Sequence, residues 1–240
     1  MPEGASAEEL RRLVEEDRGE LDIPTLRLLL RHPYTDGEVI EAIVRRPRWL
    51  SAYELRRDLA RHPKTPPVHA LRFLGGLYWR DLVELSLDPR LKPTLRRRAE
   101  EHVVERLSGL SLGEKMALAR RAGHGILHRL RHDGHRRVIG ALLENPRLTQ
   151  GVLMPLASHE STPPEILRQI AENPRWGVLY AVRLALSRNP RTPPVVACGL
   201  LSGLRKGDLR AVADNPRLDT QVRRRAALLL GDGASRTRRP

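Results

Sequence analysis

The sequence predicts an all-α fold, a right-handed α-solenoid of short stacked helices with an internal duplication, and three observations support this prediction. Aromatic residues make up only 3% of the 240 residues, so the core has to consist of Leu, Val, Ile and Ala, as is typical of helical arrays. X-Pro steps interrupt the chain repeatedly, and the segments between them have apolar residues at helical spacing. One constant offset takes Pro47 to Pro174, Pro63 to Pro190 and Pro89 to Pro216, and it aligns two parts of the sequence without a gap.

The segment 189–194, Asn-Pro-Arg-Thr-Pro-Pro, and its copy 62–67, His-Pro-Lys-Thr-Pro-Pro, are typical of a turn between two helices. Proline is poorly tolerated inside a helix and disfavours helical geometry in the residue before it, so one helix ends at the first Pro. The following Thr is expected to cap the next helix with its side-chain oxygen. The last Pro suits the first helical position, where an N–H has no partner within the helix.

The duplication relates residues 21–99 to residues 148–226, with about 40% of positions identical, which exceeds chance for a repeat comparison. The matched pairs include Trp49 with Trp176, Tyr53 with Tyr180, Arg56 with Arg183, Asp81 with Asp208, and the triplet Arg96, Arg97, Arg98 with Arg223, Arg224, Arg225. Residues 100–147 have helical spacing and no linker rich in Gly, Ser or Pro. We therefore expect a helical connector there and one continuous array over residues 1–230. The basic tail, residues 231–240, has no apolar side chains to dock and is expected to be disordered.

About a dozen helices are expected along this array. The first should begin with a capping box formed by Ser6 and Glu9. Segments 38–44 and 165–171 then place apolar residues at i, i+3 and i+4, which is the spacing of a helix with one buried face. Further apolar stripes run through Leu95, Ala99, Val103 and Leu107, and through Val222, Ala226 and Leu229. Each helix is too short to bury its stripe alone, so stacking against neighbours is predicted.

Residues 182–190, Val-Arg-Leu-Ala-Leu-Ser-Arg-Asn-Pro, carry the helix pattern of the leucine-rich repeat variant family and its HEAT-like relatives, and residues 55–63 are a looser copy. The resemblance covers about 85% of the chain and implies an α-solenoid. Such arrays serve as adaptors, regulators and sometimes nucleic-acid binders, so the resemblance implies little about function. One member of the family is associated with an iron–sulfur cluster, which needs several cysteines. Cys198 is the single cysteine of this chain, so that cofactor is excluded.

The chain is strongly basic, with a formal net charge of +14 and an isoelectric point near 11.1. Such a surface attracts anions, including nucleic acid, acidic protein faces and anionic lipid. One cysteine allows no intramolecular disulfide, and Cys198 is expected to be a small buried core residue. The N-terminus lacks the features of a signal peptide, and no apolar run approaches the ~18 residues of a membrane span. A cytoplasmic protein without a membrane span is therefore expected.

Aromatic and basic residues form the candidate surface for a partner or a polyanion. The motif Tyr78, Trp79, Arg80 occurs in one half only, because Lys206 stands at the position that corresponds to Trp79. An aromatic pair beside Arg can stack on a base, anchor a protein partner or fill a local gap. The basic members of the surface are Arg96, Arg97, Arg98, Arg120, Arg121, Arg223, Arg224 and Arg225. If these helices line up they form a groove for a polyanion, whereas arginines paired with carboxylates of neighbouring repeats would form a solvated ladder.

Two further groups of residues have simpler explanations. Trp49 and Trp176 occupy matching positions, so both are expected to pack in the core. The spacing of His124, His128, His132 and His135 would place them on one helix face, but nearby glycines interrupt the helix and flanking arginines repel a cation. No metal site is therefore expected.

No nucleotide-binding loop, nucleophile elbow or metalloprotease motif occurs, and no catalytic residue or cofactor is predicted. Asp81 and Asp208 are expected to be helix N-caps. The leading hypothesis is a non-enzymatic scaffold that binds a protein partner on its concave surface. A nucleic-acid-binding solenoid is the alternative, and a HEAT-like DNA glycosylase is a minor one. The sequence does not indicate the oligomeric state.

Overall fold

The computed structural model describes residues 6–236, with side chains described as far as Gly231. Within residues 6–236 all regular structure is helical, which confirms the all-α prediction. The α-helices are α1 (Ala7–Glu15), α2 (Ile23–Arg31), α3 (Gly37–Val44), α4 (Tyr53–Arg61), α5 (Pro67–Leu74), α6 (Trp79–Leu87), α7 (Pro93–Glu105), α8 (Leu112–Arg121), α9 (His124–Leu130), α10 (Arg136–Leu143), α11 (Gln150–Ser158), α12 (Pro164–Glu172), α13 (Tyr180–Arg188), α14 (Pro194–Leu201), α15 (Lys206–Ala213) and α16 (Thr220–Arg236). Short 3-10 helices lie at Trp49–Ser51 and Leu107–Gly109. No helix of this part of the chain is both long and apolar enough to cross a membrane.

Contacts group the helices into unit 1, residues 1–110, and unit 2, residues 111–240. The boundary falls within the segment predicted as a helical connector, residues 100–147. Most helices pack on helices close to them in the chain, such as α4 on α5 and α6 on α7 in unit 1, and α13 on α14 and α15 on α16 in unit 2. Local packing of this kind is what helices too short to bury an apolar face alone require.

The loops that end helices share one hydrogen bond. The side chain of the first loop residue accepts the backbone N–H of the residue two positions later, as Asn189 does from Arg191 at 2.9 Å and His62 Nδ1 does from Lys64 at 3.2 Å. The same bond is made by His32, Asp88, Asn145, His159, Asn173 and Asn215. This bond satisfies a backbone donor that the turn would otherwise leave without a partner.

The third residue after the first loop residue is buried in every one of these loops, and it is Thr, Leu or Trp. Where it is Thr, the hydroxyl donates to a carbonyl of the preceding helix: Thr192 bonds Leu186 at 2.7 Å and Thr65 bonds Leu59 at 2.6 Å. The prediction that Thr caps the following helix is therefore wrong. The hydroxyl is turned back because the last carbonyls of a helix lack partners within it. The predicted position of proline is confirmed, since α5 and α14 both begin with Pro.

Loops about thirty residues apart are joined by side chains that donate to backbone carbonyls. In unit 1, Lys64 bonds the carbonyl of Thr35 at 2.7 Å and Arg106 bonds that of Gly75 at 2.8 Å. In unit 2, the Asn189 side-chain amide donates to the carbonyls of Ala157 and His159, and Arg175 donates to those of Asn145 and Leu148. Each such contact spans roughly two helices and fixes one helix pair against the pair before it.

Both units contain the same tyrosine contact. The Tyr53 hydroxyl donates to Asp81 and accepts the backbone N–H of Tyr78 at 3.0 Å. In unit 2, Tyr180 makes these bonds with Asp208 and with the N–H of Arg205. Asp81 and Asp208 are thus acceptors for tyrosine inside the first turns of α6 and α15, and the prediction that they are N-caps is wrong. Burial and the hydrogen bond to Asp81 raise the pKa of Tyr53 to about 12, so its hydroxyl stays protonated.

Several local predictions are confirmed. Ser6 and Glu9 form the capping box of α1. Trp49 and Trp176 are 4% and 3% exposed, and the Trp176 indole donates to the carbonyl of Leu143 at 3.1 Å. The prediction that the tail is disordered from residue 231 is wrong for residues 231–236, because α16 extends to Arg236. Adding residues to a formed helix costs less than nucleating one. Residues 237–240 of the predicted tail lie outside the described range.

Replacing Trp176 by Ala is expected to lower the free energy of unfolding by about 3–5 kcal/mol, because it leaves a cavity and removes the donor to Leu143. Urea unfolding followed by circular dichroism measures this change. Val178→Ala, at a side chain that is 67% exposed, is the control and should have little effect. Equal losses in the two variants would show that the indole does not support the core.

His62, which begins the loop after α4, makes stability depend on pH. His62 Nδ1 must be unprotonated to accept the Lys64 N–H, and burial, then the charges of Lys64 and Arg90, lowers the pKa of His62 from its usual 6.5. The unfolded chain therefore binds more protons, so the stabilisation is present above pH 6.5 and is lost as the pH falls through the lower folded-state pKa.

The variant His62→Asn introduces the side chain that the corresponding loop of unit 2 has as Asn189. It should lose less unfolding free energy than the wild type between about pH 7.5 and pH 5.5, since Asn does not titrate. Urea midpoints at the two pH values report the difference, and His124→Asn, at an exposed side chain, serves as the control. The same pH dependence in the wild type and His62→Asn would contradict this explanation.

Candidate anion-binding cleft

A cleft of about 560 Å³ in unit 1 is lined mainly by arginine, and we call it the arginine cleft. Its lining residues are Arg27, Leu30, Arg31, Arg57, Asp58, Arg61, His62, Pro63 and Arg90. They come from α2, from α4 and from the loops that follow α4 and α6. Guanidinium groups outnumber carboxylates by five to one among these residues, and such a concentration of cations attracts anionic groups.

Helical spacing explains how the arginines come together. Arg27 and Arg31 are four residues apart on α2, as are Arg57 and Arg61 on α4, so each pair shares one helix face. The two helices pack against each other. The arginine-bearing faces of neighbouring helices thus border the same space.

Asp58 holds two of the arginines side by side. Its Oδ2 accepts from Arg27 Nε at 2.6 Å, and its Oδ1 accepts from Arg57 Nε at 3.2 Å. All three side chains are less than one-third exposed. Burial lowers the pKa of Arg57, but the hydrogen bond and charge of Asp58, together with the charge of Asp81, raise it overall. The carboxylate therefore offsets the repulsion between two neighbouring guanidinium groups.

The remaining arginines of the cleft are more exposed. Arg61 pairs with Glu84 at 2.7 Å, and Arg90 pairs with Asp88 at 2.7 Å. Exposed pairs of this kind contribute little stability. Arg31 is exposed and makes no ion pair with any residue of the described chain. Positive charge that is not balanced by a carboxylate is thus concentrated on the α2 side of the cleft.

Unit 2 lacks this concentration of charge although its helices pack in the same way. At the offset that takes Pro63 to Pro190, the residues that correspond to Arg27, Arg31, Arg57 and Asp58 are Met154, Ser158, Leu184 and Ala185. They lie on α11 and α13, which pack against each other as α2 and α4 do. Neutral residues therefore satisfy the packing at these positions. The arginines of unit 1 are not required by the fold, which makes them candidates for binding.

This cleft is not among the sites predicted from the sequence, because the arginines of each helix are four residues apart rather than consecutive. Two signals were available. One is the i, i+4 spacing of Arg27 with Arg31 and of Arg57 with Arg61. The other is that the offset from Pro63 to Pro190 places Met154, Ser158 and Leu184 opposite Arg27, Arg31 and Arg57.

The predicted aromatic motif lies at the start of α6. Tyr78 is 68% exposed, and its ring packs against that of Tyr53 at an interplanar angle of 41°, with a centroid distance of 4.6 Å. The Arg80 guanidinium lies 5.3 Å from the Trp79 ring centroid, and Trp79 is half-buried. The structure thus brings the three predicted residues of this motif together at one helix start in unit 1.

The predicted arginine triplets lie on α7 of unit 1 and α16 of unit 2. Their first members, Arg96 and Arg223, are half-buried, with the Nε atom enclosed in each. Arg98 pairs with Glu101 at 2.9 Å. Arg97 is exposed, as are Arg224 and Arg225. On α8, Arg120 pairs with Glu144 at 2.9 Å and Arg121 is exposed. The triplets thus contain both packed and exposed members, and none of them lines the arginine cleft.

The predicted histidine cluster is divided between a helix and a loop. His124 and His128 lie on α9, which ends at Leu130, and His135 precedes α10, where its Nδ1 accepts the N–H of Arg137 at 3.2 Å. His128 and His132 have ring centroids 6.5 Å apart. Among the residues that the structure describes, no group of three or more His, Cys, Asp or Glu could hold a metal ion.

Cys198 is half-buried beside the apolar core of unit 2, rather than fully buried as predicted. Burial, and to a lesser extent the charge of Asp219, raises the pKa of Cys198, whereas Arg225 lowers it. The thiol is therefore less acidic than a free cysteine.

Comparisons with known proteins identify no family for this chain. No protein-family model matches it, and neither a curated protein nor a solved structure is significantly similar.

Replacing Asp58 by Ala is expected to lower the free energy of unfolding by about 1–3 kcal/mol, because it leaves Arg27 and Arg57 adjacent without a shared acceptor. The loss should shrink at high salt, where the repulsion is screened. Urea unfolding at low and high salt tests this, with Asp214→Ala as the exposed, charge-matched control. A loss that does not change with salt would argue against repulsion as its cause.

Proposed function

We propose that this chain is a non-enzymatic α-solenoid scaffold that binds a protein partner on its concave surface, and that an acidic segment of the partner docks in the arginine cleft. The proposal also includes the internal duplication, at the offset from Pro63 to Pro190. It includes a relation to leucine-rich repeat variant and HEAT-like arrays. It includes a cytoplasmic location as well, because a single cysteine allows no intramolecular disulfide.

The observation that carries the proposal is the difference between the units at the cleft. Arg27, Arg31 and Arg57 occupy positions at which unit 2 has Met, Ser and Leu. Keeping several guanidinium groups close together costs repulsion, and Asp58 offsets only part of it. A cleft that concentrates charge without a packing requirement is suited to an anionic ligand.

Support for a repeat scaffold comes from contacts that recur in the two units. The tyrosine contact, the loop hydrogen bond and the buried Thr are found at positions related by the same offset as Pro63 and Pro190. Contacts between loops about thirty residues apart are those expected of stacked helix pairs.

A nucleic-acid partner is the alternative, and two observations favour it. The net charge is +14, and the exposed Tyr78 lies two residues before Arg80 at the start of α6. An exposed aromatic ring near Arg can stack on a base in single-stranded nucleic acid.

A swap variant distinguishes specific binding in the arginine cleft from non-specific attraction of an anion to a basic protein. It combines four changes that give the cleft the side chains found at the corresponding positions of unit 2, and it lowers the formal charge by two. These changes are Arg27→Met, Arg31→Ser, Arg57→Leu and Asp58→Ala. The matched control, Arg72→Ser with Arg210→Ser, removes two exposed arginines outside both the cleft and the predicted partner surface, and it also lowers the charge by two.

Binding is measured by fluorescence anisotropy with a labelled oligoglutamate peptide and with labelled single- and double-stranded oligonucleotides across a salt series. We expect the swap to weaken peptide binding by about tenfold and the control by less than about twofold. Equal weakening by both would contradict a specific cleft. The nucleic-acid alternative would be favoured if an oligonucleotide binds more tightly than the peptide and the swap abolishes that binding.

A further inference from the structure

The hydrogen-bond donors that remain available in the arginine cleft are concentrated near one carboxylate. Arg27 engages Asp58 through Nε at 2.6 Å, and neither of its terminal nitrogens donates a hydrogen bond to another described residue. Arg57 uses Nε and Nη2 on the same carboxylate. Arg31 lies one helical turn from Arg27 and keeps its whole guanidinium free of ion pairs with the described residues. The free N–H groups therefore border one part of the cleft, where α2 meets α4.

The outer part of the cleft does not extend this charge. Arg61 and Arg90 are each paired with a carboxylate, Glu84 and Asp88 respectively. These carboxylates would repel an extended polyanion that continued past them. The unbalanced charge is therefore local, which matches a ligand whose own charge is concentrated in one group.

We infer that the arginine cleft binds a phosphate monoester on a protein partner, that is, a phosphorylated Ser, Thr or Tyr side chain held by Arg27, Arg31 and Arg57. This inference rests on the proposed function and names the ligand class of its cleft. The three guanidinium groups and Asp58 leave a formal charge of +2, which complements the roughly −2 charge of a phosphate monoester at neutral pH. Asp58 acts as a positioning residue, because it orients Arg27 and Arg57 without contacting the ligand.

Phosphate suits this arrangement better than a carboxylate. A phosphate monoester presents three acceptor oxygens around one centre, and arginine can bind two of them at once with its planar fork. A glutamate carries half the charge and two oxygens, so it cannot engage three arginines equally well. A nucleic-acid phosphodiester also carries a single charge per group.

Three fluorescein-labelled peptides of Gly and Ala, identical except for a central Ser, Glu or phosphoserine, test the inference by anisotropy at constant ionic strength. We expect the full-length protein to bind the phosphoserine peptide about tenfold more tightly than the Glu peptide, with no measurable binding of the Ser peptide. Inorganic phosphate should displace the phosphopeptide, and chloride at equal ionic strength should not.

The swap variant should lose the preference for phosphoserine. Arg31→Ser, which removes an exposed side chain without an ion pair, should weaken binding of the phosphopeptide by about threefold to tenfold while the protein stays folded. Arg72→Ser, the same change at an exposed arginine that lies outside both the cleft and the predicted partner surface, is the control and should leave binding unchanged.

Each other outcome overturns the inference in a different way. Equal binding of the Glu and phosphoserine peptides, lost in the swap, would refute the phosphate preference and leave the acidic-partner proposal standing. No cleft-dependent binding of either peptide, or of oligoglutamate, would refute both. An oligonucleotide that binds more tightly than the phosphopeptide, and is lost in Arg31→Ser, would assign the cleft to nucleic acid.

Discussion

The helix-ending loop is the element on which the rest of this structure depends. A side-chain acceptor at its first position binds a backbone N–H two residues on, and a buried Thr, Leu or Trp at its fourth position anchors the turn in the core. The loop that begins at His159 shows that proline is not essential, because Glu160 follows the histidine and the hydrogen bond is the same as in the X-Pro loops. Proline favours the turn, whereas the acceptor and the buried residue define its geometry.

These loops also explain part of the basic composition. Arg175 and Arg106 donate to carbonyls of loops about thirty residues earlier, where Asn189 does the same with an uncharged amide. A guanidinium group reaches several carbonyls at once, which suits it to joining successive helix pairs. Several of the arginines are therefore structural, and the net charge alone is weak evidence for a polyanion partner.

The arginine cleft stands apart because its charge is not used in this way. Arg27, Arg31, Arg57 and Asp58 occupy positions at which unit 2 has Met, Ser, Leu and Ala. Most of the fold could be predicted from the sequence, including the all-helical class, the buried Trp49 and Trp176 and the capping box of α1. The cleft could not be predicted from runs of arginine, because its arginines come from two helices and a loop and meet only when α2 packs on α4.

The sequence by itself determined the local structure. Proline, the first-position acceptors and the helical spacing of apolar residues set where helices start and stop, because these effects act over a few residues of chain. Tertiary structure decided what individual side chains do. Thr65 bonds back to Leu59 rather than forward, and Asp81 accepts from a tyrosine 28 residues earlier rather than capping its own helix. Such partners are chosen by packing, since a polar group removed from water bonds to whichever donor or acceptor the neighbouring helices bring within reach.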